Sequence, residues 1–225
     1  MKPLLIAHRG DTVNFPENTL DAFESAFAKG ADGIELDVQF FQGNLIVVHN
    51  YLFESSKSYP HLSEVLKQFA HKGRIEIEIK SLDLEFLQPL KMLMHQYQSH
   101  DLEITTSIYP LVPYLRQEFP TSLLGFIFRV SEREAWMTPE FLQFKIIKLM
   151  QLMHTNIAHI PWQIEPGLVT TCHANGYKIH GHIAKQEMSR AIEEYHRMKK
   201  MGVDQCTIDD ITLISAFFSL EQHSK

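Results

Sequence analysis

Short apolar runs recur along the chain. They are Leu4–His8, Gly33–Val38, Arg74–Lys80, Leu102–Ile108, Leu123–Phe128, Asn156–Ile160, Lys178–Ile183 and Gln205–Asp209. Runs of this length predict strands, with ends that carry polar residues. After each comes a longer segment that predicts a helix: Asn18–Lys29, Leu62–His71, Leu84–Tyr97, Leu111–Glu118, Pro139–His154, Pro166–Asn175, Gln186–Met201 and Asp210–Leu220. In the first of these, Leu20, Phe23, Ala26 and Phe27 stand at helical spacing behind an Asn18 cap. Gly30, Gly176 and Gly202 fall just past three helix ends, where left-handed caps are common.

An eightfold strand-then-helix alternation predicts an α/β protein, either a TIM (βα)8 barrel or a doubly wound sheet. Eight units in 225 residues, with no glycine-rich dinucleotide loop, favour a compact barrel. One piece breaks the rhythm. Phe41–Asn50 holds a Gln42-Gly43-Asn44 turn and a second short strand, Leu45–Val48, which predicts a small β-hairpin after the second barrel strand that delivers His49. No linker or low-complexity tract divides the chain, so residues 1–225 are expected to form a single domain.

Composition narrows the partners. A formal net charge of -6 argues against nucleic acid and anionic membranes, while leaving room for a local basic pocket. Cys172 and Cys206 are expected to be buried free thiols, one in a helix and one in a strand. The apolar start, Met1–Ile6, is too short for a signal peptide or a membrane span, so a cytoplasmic protein with no transmembrane segment is expected. The apolar helix around Phe141–Met150 is expected to serve core packing or a homo-oligomer face.

The polar residues at the strand ends carry the chemistry. Barrel enzymes place their sites at the C-terminal ends of the strands. His8 ends the first. Glu35 and Asp37 are two apart in the second, as are Glu78 and Lys80 in the third, so each pair projects from one face. Glu35, Asp37 and Glu78 together offer carboxylate oxygens suited to Mg²⁺, Ca²⁺ or Mn²⁺. Arg9 can fork onto a phosphate, Lys80 supplies a point charge, and His8 and His49 can exchange protons near neutral pH. Glu17 is read either as a first-turn helix-dipole partner or as a residue that orients Arg9. Asn18 or Thr19 can cap the first helix. Ser107, Arg129 and Trp162 end strands on the same face and are candidates for the pocket wall. Most of the 13 histidines, such as His95, His100, His196 and His223, are expected to be structural.

These motifs resemble the glycerophosphodiester phosphodiesterase family. His8-Arg9-Gly10, Pro16-Glu17-Asn18-Thr19, Gly33-Ile34-Glu35-Leu36-Asp37-Val38, Val47-Val48-His49 and Ile77-Glu78-Ile79-Lys80 occur in the family's order, and the likeness runs nearly end to end. It implies a metal-dependent hydrolysis of glycerophosphodiesters on a TIM barrel. Glu35, Asp37 and Glu78 would bind one divalent cation, Mg²⁺ or Ca²⁺ with Mn²⁺ as an alternative. His8 and His49 would be the acid–base pair, and Arg9 and Lys80 would hold the phosphate. The chain also departs from the family pattern. Asn50 replaces an aspartate after the second histidine, and only Asn50–His61 stands where the family inserts a cap. His182-Ile183 replaces Trp-Thr, and Ile208-Asp209 replaces Thr-Asp. The shortened cap and the apolar Tyr51–Phe53 loop leave open a lysophospholipase-D-like activity on lysophospholipids. Asn50 and the altered late strands leave open a non-catalytic phosphodiester-binding barrel.

Overall fold

The computed structural model describes residues 2–219. Its strands are β1 (Leu4–His8), β2 (Gly33–Phe41), β3 (Asn44–Val47), β4 (Arg74–Ile79), β5 (Leu102–Thr106), β6 (Leu123–Ile127), β7 (Ile157–His159), β8 (Lys178–Ile183) and β9 (Gln205–Ile208). The helices are α1 (Leu20–Ala28), α2 (Leu62–Phe69), α3 (Leu87–Gln96), α4 (Val112–Glu118), α5 (Pro139–Met153), α6 (Pro166–Ala174), α7 (Met188–Met201) and α8 (Ile214–Ser219). Parallel pairing runs β1-β9-β8-β7-β6-β5-β4-β2, and a β1–β2 pairing closes the ring. This is the expected TIM barrel. Leu220 and His223 lie outside the described residues.

The hairpin also forms. β3 pairs antiparallel with the far end of β2, with Val38 opposite Val47 and Phe41 opposite Asn44. Gln42 and Gly43 between them have φ of 48° and 80°, so both turn residues are left-handed, as a two-residue hairpin with right-twisted strands requires. β2 therefore runs three residues past its predicted end, because β3 offers its outer half a ladder partner.

Two local expectations are corrected. Thr19, not Asn18, caps α1, its hydroxyl accepting from the Ala22 amide. Asn18 instead turns inward at φ 59°. β5 stops at Thr106 rather than Ile108, because the Thr106 hydroxyl donates to the Ile79 carbonyl and accepts from the Ile108 amide, turning the chain out of the sheet. Cys172 and Cys206 are buried free thiols, and burial raises both above the usual thiol range.

Side chains alternate along the staves. Ile34, Leu36 and Val38 of β2, with Ile75, Ile77 and Ile79 of β4, join the apolar layer packed under the helices. The intervening positions face the barrel axis and are polar. Gln205 of β9 donates to Glu76 of β4 at 2.8 Å, although these strands are not neighbours, so the contact crosses the interior. Arg74, Glu103, His159 and His180 belong to the same buried layer.

Asp11 fastens the first loop to α1. Its side chain is fully buried and accepts from Asn14, Ser25 and Lys29. Burial alone would raise its pKa, but these donors outweigh that and hold it below the usual aspartate value. Asp11→Ala should lower unfolding stability by about 2 kcal/mol at neutral pH. A depressed folded-state pKa gives stability that is present above the unfolded value and lost as pH falls through the folded one. The wild-type advantage in urea titrations should therefore be flat from pH 8 to 5 and shrink only below the ordinary aspartate range. An unchanged urea midpoint at pH 7 would remove Asp11 from this role.

Candidate active site

The mouth of the barrel is assembled from three neighbouring strands. Their register sets His8 beside Glu35 and Asp37 beside Glu78. Gly10 makes the turn out of β1 possible. It has φ 85°, and a Cβ there would lie 2.7 Å from the Ala22 backbone. The preceding Arg9 is also left-handed, with φ 59°, and its amide donates to the Glu35 carbonyl at 3.1 Å. This strained turn swings the guanidinium back over the strand ends.

Glu35, Asp37 and Glu78 converge, with one oxygen from each lying within 4.8 Å of the others. Arg9 Nε is 3.0 Å from Asp37 Oδ2, and Arg9 also pairs with Glu17 at 2.9 Å. Of the two readings of Glu17, this contact is the one that orients Arg9. Lys80 Nζ lies 3.3 Å from Asp37 Oδ1 and 3.2 Å from Glu78 Oε1. Asn18 donates to Asp37 Oδ2 at 2.9 Å and accepts from the Asp37 amide. Ser107 reaches Glu78 at 3.4 Å.

Three carboxylates therefore share two cations, one of them also bound to Glu17. Burial, then the charges of Asp37 and Glu78, push Glu35 well above the usual carboxylate range, with Arg9 and Lys80 only partly opposing them. Asp37 goes the other way. Burial would raise it, but Lys80, Arg9 and the Asn18 hydrogen bond hold it low. The fully buried Asp37 Oδ1 meets only the Lys80 ammonium. A surplus of negative charge and a free carboxylate lone pair among hard oxygen donors suit a divalent cation such as Mg²⁺ or Ca²⁺.

On the other side of the mouth stands a histidine pair that the motif reading only partly anticipated. His8 Nδ1 is 2.7 Å and His182 Nε2 2.8 Å from the same Asp209 Oδ1. A carboxylate only accepts, so both imidazoles donate. Burial would raise Asp209, but these two hydrogen bonds hold it well below the aspartate range. With Nδ1 committed, His8 presents Nε2 to the site, 3.9 Å from Glu35 Oε2. A cavity of about 110 Å³ opens between His8, His182, Glu35 and Glu78.

His49 comes from the hairpin return and sits close enough for its charge to act on Asp37. The loop that carries it is held from below. The buried Gln39 side chain donates to the carbonyls of Val48 at 3.3 Å and Asn50 at 2.6 Å. The exposed Asn50 side chain lines a separate groove with Glu17, Phe53 and Tyr59. Trp162 lines two grooves beside the cavity, and Arg129 instead starts a short 3-10 turn. Gln39, Asp209 and the tie from Asn18 to Asp37 were not assigned roles from sequence. The two-residue spacing that exposed Glu35 and Asp37 recurs in Thr207 and Asp209 and in His180 and His182, and it was a usable signal.

Fold and site define a class, a TIM barrel with a carboxylate cluster and histidines at the C-terminal ends of its strands. The sequence profile of the Glycerophosphoryl diester phosphodiesterase family matches residues 8–91. The glycerophosphodiester phosphodiesterase of Caldanaerobacter subterraneus is 28% identical over 246 residues, covering 93% of this chain and 95% of that protein. That of Bacillus altitudinis is 36% identical over 115 residues, covering 47% and 46%. Among solved structures, an Oleispira antarctica phosphodiesterase in complex with the product sn-glycerol-3-phosphate has a TM-score of 0.78 at 18% identity, covering 96% of this chain and 97% of that one. The Thermotoga maritima glycerophosphodiester phosphodiesterase has a TM-score of 0.73 at 19% identity, covering 96% and 98%. By the profile over residues 8–91 and by a relative aligned along nearly its whole length, the chain is similar to the glycerophosphodiester phosphodiesterase family.

Gln39→Leu should free the loop that carries His49 without touching the carboxylates. Amide hydrogen exchange over residues 48–53 should accelerate about tenfold while β4 and β5 stay protected. Unchanged exchange would show that Gln39 does not hold that loop.

Proposed function

We propose that the protein hydrolyses glycerophosphodiesters to glycerol 3-phosphate and an alcohol, in the cytoplasm, with one divalent cation held by Glu35, Asp37 and Glu78. The observation that carries this reading is the convergence of those three carboxylates beside a histidine whose free nitrogen is aimed at them. When bound, the cation supplies charge neutralisation at the phosphoryl oxygens.

The protein's own groups do the rest. Arg9 and Lys80 flank the cluster and neutralise the phosphate as the attacking oxygen arrives. His8 is the base, because Asp209 accepts a hydrogen bond from its Nδ1–H and leaves Nε2 with the lone pair, the same logic by which an aspartate fixes a histidine tautomer in hydrolytic triads. It removes a proton from water, or from the substrate's glycerol hydroxyl, in which case a cyclic glycerol phosphate forms first and a second attack, by water, opens it to glycerol 3-phosphate. As the new phosphorus–oxygen bond forms, the bond to the departing alcohol breaks, and that oxygen takes a proton from His49. Lys185 supports this arrangement through its backbone amide, which donates to Asp209 Oδ2 at 2.9 Å.

Turnover of glycerophosphocholine should be abolished by chelator and by Glu35→Gln, and should fall about 10²- to 10⁴-fold in His8→Ala and His49→Ala. Replacing the leaving alcohol with p-nitrophenol, which departs without a proton, should restore His49→Ala but not His8→Ala. The reverse pattern would exchange the two roles, and full activity of Glu35→Gln would remove the cation site.

One observation favours a second substrate class. Leu52 is 97% exposed at the lip of the groove lined by Val47, Phe53 and Tyr59, where an acyl chain could lie. If lysophosphatidylcholine is the substrate, Leu52→Asp should depress its turnover and spare glycerophosphocholine. Equal loss on both, or no preference for the lipid, would leave the water-soluble diesters.

A further inference from the structure

Below the mouth, the barrel axis holds a second cluster, from different residues and of different chemistry. Glu76 of β4, His159 of β7 and His180 of β8 are buried, and one ligand atom from each lies within 4.8 Å of the others. Two imidazoles and one carboxylate form a softer donor set than the all-oxygen cluster above, one that suits zinc and its neighbours better than Mg²⁺ or Ca²⁺. The three residues wall the inner part of the cavity that opens between His8 and Glu35, so an ion has a route from solvent.

Polar groups crowd the cluster. Gln205 Nε2 lies 2.8 Å from each of three acceptors, Glu76 Oε1, Glu103 Oε2 and His180 Nδ1. Its orientation is fixed, because Arg74 donates to its oxygen at 3.1 Å. An amide nitrogen carries two hydrogens, and Glu103 Oε2 also accepts from Arg74 at 2.8 Å, so the two are left for Glu76 and His180. One demand does go unmet. The Thr105 hydroxyl, 1% exposed and lining the same cavity, has no hydrogen-bond partner.

The surroundings resemble the outer shell of a metal site. His159 Nε2 is 2.7 Å from Glu103 Oε1, leaving its other nitrogen for a ligand, the carboxylate–histidine arrangement common behind metal-bound imidazoles. His180 Nε2 is 2.7 Å from the Thr207 hydroxyl, which leaves Nδ1 as the lone pair, 3.2 Å from Glu76 Oε1. Gly125 keeps the space open, since a Cβ there would lie 2.5 Å from His159 Nε2.

We propose that Glu76, His159 and His180 form a second metal site on the barrel axis, which takes a zinc-like divalent transition-metal ion beneath the oxygen-ligand cluster at the mouth. The ion would offer the Thr105 hydroxyl, directly or through water, a partner. This proposal does not rest on the diesterase reading, and its test reads metal rather than turnover. The full chain, stripped with chelator and reloaded with Zn²⁺, should retain one equivalent after a desalting column, as measured by elemental mass spectrometry. The Glu35→Gln variant should keep that equivalent and His180→Gln should lose it. Reloading wild-type protein with Co²⁺ gives a readout that does not depend on any variant folding. X-ray absorption should show imidazole nitrogens in the metal shell, with the strong visible bands of a low-coordinate site. No retained metal would mean that the cavity holds water only. An all-oxygen shell, or an equivalent lost in Glu35→Gln and kept in His180→Gln, would place the ion at the mouth. Each of these outcomes overturns the inner site, and none bears on whether diesters are hydrolysed.

Discussion

Charge compensation inside a closed barrel is the constraint on which this structure depends. Barrel interiors are usually filled by branched apolar side chains. Here Glu35, Asp37, Glu76, Glu78 and Glu103 point to the axis from three adjacent strands, and all are buried. Removing one partner from a buried ion pair costs on the order of 3–5 kcal/mol. Each of these carboxylates is therefore tied to something. Glu103 shows how far this goes. Burial would raise its pKa, but His159, Arg74 and Gln205 bring it below the usual range. Glu76 accepts from Gln205, but burial and the neighbouring Glu103 outweigh Arg74 and push it well above that range.

The same constraint explains the layering. Arg74, anchored to Asp101 at 2.7 Å and Glu103 at 2.8 Å, closes the bottom of the barrel. Gln205 bridges the middle. Arg9 and Lys80 compensate the top. At the mouth the carboxylates still outnumber the cations, and there the cavity opens to solvent. A phosphodiester carries negative charge itself, so a site of this kind works only if cations outnumber the groups that repel the substrate.

The residues that reach the mouth from outside the barrel strands are held as firmly as those within them. His49 arrives on a hairpin whose return is fixed by the buried Gln39 amide. His8 is fixed by Asp209, which lies 201 residues away along the chain. His182 shares that carboxylate oxygen, so it helps to hold Asp209 in place behind His8.

Much was legible in the sequence because it is local. Strand and helix alternation follows from apolar spacing, and all eight barrel strands appear within a few residues of their predicted spans. The hairpin follows from Gln42-Gly43, and the convergence of Glu35 and Asp37 from a two-residue period. What the sequence could not decide was which distant groups meet. Asn18 reads as a helix cap because a cap needs only its neighbours, yet its partner is Asp37 on another strand. Asp209 ends a predicted strand, but nothing local says that two histidines will converge on one of its oxygens. The polar interior was hidden for the same reason, since a charged residue in a strand has no preferred face until the ring closes. Sequence by itself determined the periodicities, the turns and the motif chemistry, which depend on near neighbours. Closure of the barrel decided the compensation of buried charge, the tautomer of His8 and the stacking of two clusters along one axis, because those depend on distances between strands that are far apart in the chain.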